Sequence, residues 1–301
     1  MKNYILDSYC STLNGNKSEQ YFNILTGSGS NSKTTLMNLY QSILGNYSVN
    51  VSAETFTKAK KSGNDTGELY KCKGKRAVFA NEPESNSDNK LQTAILKRVA
   101  DECNQTLIAR ALYCNPIEFK IQFQLNIFCN NKPELSSVDG GIARRLRIVD
   151  FKVKFVDEPD VNNKYQTKLD PSVMSLMKSD GVRNAFVKML IDRWIHRVSR
   201  FPKIPIPKSI IEASKEYIDD CNPVLGFIQE YYDITHDDKD KVKSNDLYTH
   251  FQINTRNKSI NNRRFKDDIL GIGSISSLKS SGIIVFTCLK KKILIDEKEA
   301  V

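Results

Sequence analysis

Gly27-Ser28-Gly29-Ser30-Asn31-Ser32-Lys33-Thr34-Thr35 carries the clearest chemistry in this chain of 301 residues. Small residues whose N–H groups turn inward form a concave nest for an anion. A helix that starts at the lysine adds its own unpaired N–H groups and the positive end of its dipole. In the pattern G-x-x-x-x-G-K-[ST], the lysine reaches the β- and γ-phosphates and the hydroxyl ligates Mg²⁺. Gly27, Lys33 and Thr34 stand at the required positions. The expected ligands are therefore ATP and Mg²⁺, with Gly27 through Thr35 as the cradle. One position departs from the pattern: Ser32 replaces the glycine before the lysine. If that position needs φ > 0, a Cβ costs about 1–2 kcal/mol. The plain alternative is a Ser/Gly-rich turn that merely precedes Lys-Thr.

A phosphate loop needs an acidic partner at the end of a neighbouring strand. Ala77-Val78-Phe79-Ala80-Asn81-Glu82 supplies one about fifty residues downstream. Glu82 is expected to polarise the attacking water. Asn81 and Glu82, with Thr34, are expected to hold the metal and its water shell. The bland reading of Glu82 is a solvated strand end.

The elements that must position these groups alternate. Tyr21–Thr26 reads as a strand, 27–32 as a loop, and Thr34–Leu44 as a helix capped by Gly45. Ala77–Ala80 is a strand and Leu91–Ala100 a helix. Leu107–Tyr113 and Phe119–Phe123 form a hairpin around Asn115-Pro116. Leu125–Cys129 and Arg147–Phe151 are further strands. This alternation predicts an α/β core with a largely parallel sheet. Val156–Leu169 reads as less ordered. Val173–Val198 reads as one helix whose stripe Val187, Leu190, Ile191, Trp194 and Ile195 faces the core. The three prolines of 201–207 forbid a helix and mark a connector. Helices over Ser209–Asp219, Pro223–Tyr232, Leu247–Asn254 and Asn261–Leu270 precede a terminal strand, Ile283–Leu289.

Composition bounds the class. Hydrophobic residues make up 40% and charged residues 27%, as in an ordinary globular protein. No apolar run is long enough to cross a membrane, and the start is too weakly apolar for a signal peptide. The expected setting is intracellular and soluble, in the host cytoplasm or at a viral replication site. The net charge of +10 favours polyanionic partners. Seven cysteines without a C-x-x-C argue against a zinc site or a disulfide framework. His196, His236 and His250 are scattered, and read as structural or surface residues.

Taken together, several segments resemble the viral superfamily III helicases, in particular the primase–helicases of poxviruses, other large DNA viruses and related phages and plasmids. They are the loop at 27–35, Gly74–Glu84, Ile108–Tyr113, Phe119-Lys120, Cys129-Asn130-Asn131-Lys132-Pro133 and Ala143–Phe151. The resemblance runs from about Tyr4 to Leu289. It implies an AAA+-like phosphate-loop core, ATP at the subunit boundaries of a homo-hexameric ring, and 3′-to-5′ movement on single-stranded DNA. It assigns Lys33 and Thr34 to the Walker A motif, Glu82 to Walker B, and Asn130 to the polar sensor. Arg144 or Arg145 matches the arginine finger, with Arg145 slightly favoured. Arginine suits that task through its fixed charge and fork geometry. The family's central motif runs from a lysine through Gly-Gly-Asp to an arginine. Here Lys97-Arg98-Val99-Ala100-Asp101 leads to Arg110, and the two glycines are absent. Lys97, Arg110 and Lys120 remain candidates for DNA phosphates, although an exposed helix face explains Lys97 about as well.

The C-terminal part resembles the small domain that follows the helicase core. Arg263 and Arg264 open a helix, and Lys279 lies near the turn of a hairpin, a wing. A basic helix with a basic wing is a DNA-backbone footprint. The expected organisation is thus a core at 1–156, a helical segment with a connector at 157–207, and a winged-helix-like domain at 208–301. The expected function is an ATP-dependent DNA helicase of viral or mobile-element replication, with DNA in the ring channel. A catalytically weakened paralogue that binds ATP and DNA without moving is the rival. The family's primase part is expected in trans or in a longer form of the chain.

Overall fold

The computed structural model describes residues 1–57, 67–81, 90–101, 105–200, 203–235, 237–255, 260–272, 274–280 and 282–292. The chain divides into two compact units. One comprises Met1–Ser136 and Gly140–Tyr217, the other Ser137–Asp139 and Ile218–Val301. The segment expected as a separate connector, 157–207, therefore falls inside the first unit, and the division comes at Tyr217 rather than at 207.

The first unit opens with α1 (Lys2–Cys10), then β1 (Phe22–Thr26) and α2 (Lys33–Leu44). Gly45 caps α2 at φ +51 and donates to Gln41 O. A 3₁₀ turn at Gly45–Tyr47 leads into β2 (Ser48–Ser52), which periodicity does not reveal because only Val51 of its five residues is buried. Short helices α3 (Glu54–Thr57) and α4 (Gly67–Tyr70) precede β3 (Ala77–Asn81). Next come α5 (Thr93–Ala100), the hairpin β4 (Thr106–Ala109) and β5 (Ile117–Lys120), β6 (Gln124–Phe128), α6 (Gly140–Arg145) and β7 (Leu146–Asp150). A small parallel pair, β8 (Lys154–Val156) and β9 (Gln166–Lys168), occupies the stretch expected to be less ordered. Two helices, α7 (Ser172–Leu176) and α8 (Asp180–Arg200), replace the single helix expected over 173–198. The unit closes within α9 (Lys208–Cys221).

Five strands form a parallel sheet in the order β2-β3-β6-β1-β7. β1, the strand that ends at the phosphate loop, lies inside it, between β6 and β7. Successors of β1 fall on both sides of it, so the chain changes direction there. In open α/β sheets, ligands bind outside the carboxyl ends of the strands at such a switch point. All five residues of β1 and of β6 are buried, as expected of strands covered on both faces. Asn23 and Asn126 sit mid-strand in this core and bond to each other at 2.9 Å, with Tyr4 Oη donating to Asn23 Oδ1 at 2.8 Å. Buried polar groups are costly unless paired in this way. β7 is the sheet's edge strand, and its Ile148 N–H donates to the buried Ser214 Oγ on α9 at 2.9 Å.

α1 lies against α8, with Asp7 accepting from Arg193 at 2.7 and 3.2 Å and Arg197 paired with Glu19. The buried line of α8 is Phe186, Leu190 and Arg197. Ile191 and Ile195, expected in the core stripe, are 47% and 58% exposed. Leu190 is fully buried and Trp194 packs on the core, so the stripe is right in part, but arginine stems also cover apolar surface, and a stripe drawn from apolar residues alone runs too wide.

The second unit runs α10 (Pro223–Tyr231), β10 (Tyr232–Ile234), β11 (Lys241–Lys243), α11 (Ser244–Thr255), α12 (Asn262–Leu270), β12 (Ser276–Ser280), β13 (Ile283–Thr287) and β14 (Leu289–Lys291). A three-stranded antiparallel sheet has the order β11-β13-β12, and β10 pairs with β14. The terminal strand expected over 283–289 is broken at Cys288, which stands at φ +61. Phe227, Phe251, Phe265 and Phe286 fill this unit's core.

Candidate nucleotide site and nucleic-acid surfaces

The loop after β1 takes the backbone shape its residue types allow. Gly27 stands at φ +153, Gly29 at +86, Ser30 at +47 and Ser32 at +60. A Cβ on Gly27 would lie 2.2 Å from Asn31 Nδ2 and 2.6 Å from the Phe151 carbonyl, so only glycine fits. Ser32 precedes α2 in the left-handed region (φ +60, ψ +16). The position does require φ > 0, and serine meets it at a cost of about 1–2 kcal/mol. The loop is fastened from outside: Phe155 N donates to Ser30 O at 2.7 Å and Asn31 Nδ2 to Phe151 O at 3.3 Å.

Lys33 is buried, 7% exposed, at the start of α2. Its Nζ donates to Gly27 O at 2.7 Å, Asn31 Oδ1 at 3.1 Å and Asn130 Oδ1 at 3.5 Å. Thr34 is exposed in the same turn, and Thr35 Oγ1 lies 3.7 Å from Met174 Sδ. The first turn of α2 holds no acidic residue, which leaves its N-terminal field free for an anion. Lysine, a run of left-handed residues and a helix N-terminus fit the triphosphate of a nucleotide. They are the residues that would hold ATP.

Asn130 reaches the loop because β6 lies beside β1. Cys129 N continues the ladder to Leu25 O at 3.1 Å, and Thr26 Oγ1 donates to Asn130 O at 3.3 Å. Asn81 ends β3, next to β6, in register with Phe128. β6 thus separates β3 from β1, and their axes lie about 10 Å apart at two strand spacings. That gap suits a terminal phosphate with its metal and water. Mg²⁺ typically keeps several waters and takes one or two protein ligands plus phosphates, which matches the exposed Thr34 and Asn81. Glu82, the expected acid, lies outside the described residues. Among those described, no group of three or more His, Cys, Asp or Glu side chains could hold a metal alone.

The two candidate finger arginines are split. Arg145 is buried, its Nη2 donating to Asp101 Oδ1 at 2.5 Å and its Nη1 to Gly141 O at 3.0 Å. Arg144 is exposed. Both close α6, directly before β7, whose first residue Leu146 is in register with Phe22, the first residue of β1. They lie at the opposite end of the sheet from Lys33, about 13 Å away along the strands. Of the two, only Arg144 is exposed at the surface of the unit. The slightly favoured Arg145 is thus the one engaged inside the unit, and Arg144 the one at its surface.

Arg110 and Lys120 lie on the β4–β5 hairpin, both exposed, with Arg110 Nε bonded to Cys114 O at 3.1 Å across the tip. Lys97 is half-buried in the last turn of α5. The sequence reading missed Tyr113, which is 94% exposed on the same tip at φ +61. An aromatic beside basic residues in a turn was its available signal. The reading also missed Asp101. In the second unit, Arg263 and Arg264 are exposed at the start of α12, capped by Asn261, and Lys279 is exposed on β12. Arg264 pairs loosely with Asp268 at 3.8 Å.

Fold and site define a P-loop-like α/β protein. Its sequence relatives are named for work on nucleic acid. A protein of Acanthamoeba polyphaga mimivirus named "Putative helicase L207/L206" is 30% identical over 82% of the chain, which spans 26% of that relative. A like-named protein, 022R of Frog virus 3, is 25% identical over 83% of the chain and is spanned to 26%. Primase D5 of fowlpox virus is 30% identical over 45% of the chain, which spans 18% of it. The chain thus spans about a quarter or less of these relatives' lengths. Among solved structures, the C-terminal region of NrS-1 (305–718) matches with a TM-score of 0.51 at 13% identity, covering 94% of this chain and 70% of that one, a likeness of fold. No family model matches the chain. The chain is similar to the primase–helicases of large DNA viruses, as its motifs indicate.

Proposed function

We propose that this chain is the motor part of a DNA helicase that serves viral or mobile-element replication. ATP with Mg²⁺ is held by Gly27–Thr35, Asn81 and Glu82. Hydrolysis takes place where two subunits of a homo-hexameric ring meet, and drives the ring along single-stranded DNA. The observation that carries this reading is Lys33 Nζ meeting Asn130 Oδ1 at the carboxyl ends of adjacent strands. Lys33 neutralises charge on the β- and γ-phosphates. Asn130 orients water against the γ-phosphate, and Glu82 polarises it. Arg144 supplies the finger, acting on the neighbour's ATP because its own lies at the far end of the sheet. Arg110, Lys120 and Tyr113 offer a basic tip with a stacking ring to DNA in the channel, and Lys97 adds charge at the end of α5. The second unit, in the order helix, two strands, two helices and three strands, is read as a winged helix. Its Arg263, Arg264 and Lys279 touch phosphates. A primase acts in trans or in a longer form of the chain.

Ser32 at φ +60 favours one rival, a paralogue that holds ATP and DNA without turning over. Steady-state ATP hydrolysis with and without single-stranded DNA, with Lys33→Ala as the blank, separates the two. DNA-stimulated turnover lost in the variant supports the motor. DNA binding without turnover supports the rival.

A further inference from the structure

The Asp101–Arg145 pair stands outside the nucleotide loop, yet it holds the turn that presents Arg144. The Arg145 side chain is 9% exposed and that of Asp101 22%. The guanidinium bonds back to its own helix at Gly141 O and forward to Asp101 Oδ1. Its Nε has no partner among the described residues. The carbonyl of Arg144 accepts from Arg147 Nη1 at 2.8 Å. The main chain at Arg144 is therefore gripped from both sides.

Asp101 directly follows α5, and that end of the helix is fastened twice more. Buried Lys17 donates from Nζ to Val99 O at 2.7 Å, and Arg98 Nη2 donates to Thr106 O, the first residue of β4, at 3.2 Å. An unbroken path of bonds runs from the Arg144 turn through Arg145, Asp101 and α5 to the hairpin that carries Arg110 and Tyr113. A guanidinium buried this deeply keeps its place only with a charged partner, so Asp101 sets the geometry at both ends of the path.

We propose that Asp101 is a positioning residue for Arg144. It fixes the last turn of α6, and with it the direction in which Arg144 leaves the subunit, and it ties that turn to the DNA-facing hairpin. The proposal rests on the assignment of Arg144 as the finger, given above.

The test measures kcat and KM for ATP, with and without single-stranded DNA, for Arg144→Ala, Asp101→Asn, Asp101→Glu and the paired Asp101→Leu/Arg145→Met. Thermal melting is followed in parallel. The paired variant replaces the ion pair by apolar groups, an exchange that is often neutral for stability. A misplacement of about 1 Å costs on the order of a hundredfold in rate. Asp101→Asn and the paired variant should therefore lose about 10- to 100-fold in kcat. KM for ATP should hold, because the chain's own loop binds ATP. Stimulation by DNA should fall with kcat, and Asp101→Glu should recover part of both. Wild-type kcat in a folded paired variant, alongside a crippled Arg144→Ala, would overturn the positioning role and leave the finger assignment standing. Wild-type kcat in Arg144→Ala would overturn the assignment and the inference together. A parallel loss of kcat, KM and melting temperature in both Asp101→Asn and the paired variant would reduce Asp101 to a structural part.

Discussion

Lys33 Nζ and Asn130 Oδ1 lie 3.5 Å apart across a sequence separation of 97 residues. Adjacent parallel strands bring them together, since β1 and β6 end side by side with Leu25 opposite Phe128. If Asn130 orients the attacking water, Asn130→Ala should lower kcat about 10²–10³-fold, the range for loss of one pre-aimed polar group. KM for ATP should change little. A rise in KM at constant kcat would make Asn130 a binding residue only.

Ser32 and Gly27 give opposite expectations from one loop. Ser32→Gly removes a left-handed Cβ worth about 1–2 kcal/mol and adds unfolded-state entropy worth about 0.4–1 kcal/mol. The net is a gain of between nothing and about 1.6 kcal/mol, read as a higher melting temperature or tighter ATP binding. Gly27→Ala should abolish ATP binding, because its Cβ meets the Phe151 carbonyl at 2.6 Å. Binding of a fluorescent ATP analogue measures both. Normal affinity in Gly27→Ala would disprove the loop's role as the cradle.

The hairpin tip carries its own reporter. Cys114 is an exposed thiol, whereas Cys10, Cys72 and Cys129 are buried. Maleimide labelling mapped by peptide should modify Cys114 early, and single-stranded DNA should slow it several-fold. Burial, with Asp7 nearby, pushes the Cys10 thiol up to about 12, so it should stay unmodified in the folded protein. Equal labelling of Cys114 with and without DNA would take the tip out of the DNA path.

Arg263 and Arg264 are exposed on α12. Each phosphate contact contributes a slope of about 0.7–0.9 in log K against log salt. The double alanine variant should therefore flatten the slope by roughly two contacts' worth. An unchanged slope places DNA elsewhere.

His250 accepts or donates a 2.8 Å bond to Tyr232 Oη among Phe227 and Tyr231. Burial first, and then Lys291, hold it below its ordinary value of 6.5. Its folded form prefers the neutral ring, so the unfolded chain binds the proton more readily. Stability should be full above pH 6.5 and decline as pH falls through 6.5 toward the lower folded value. Melting from pH 8 to 5, compared with His250→Gln, shows this as a pH dependence that the variant lacks.

The loop, α2 with Gly45, β3, β6 and β7 were legible because small residues, helical spacing and apolar runs each have one dominant cause. β2 was not, since a half-exposed five-residue strand owes its place to pairing with β3. The break between α7 and α8 and the outward Ile191 depend on which side chains the rest of the fold covers. Lys33 and Asn130 could be named from their motifs. What separates Arg144 from Arg145 could not, because adjacent arginines differ only in what surrounds them, and here Asp101 pairs with one and leaves the other exposed.

Ser214 has a consequence for how copies of this chain can associate. An edge strand ordinarily offers a row of free N–H and C=O groups on which another sheet can grow. On β7, the Ile148 donor is taken by the Ser214 hydroxyl of α9. A second sheet approaching at Ile148 finds that rung already engaged by a side chain, one place fewer at which to extend the ladder.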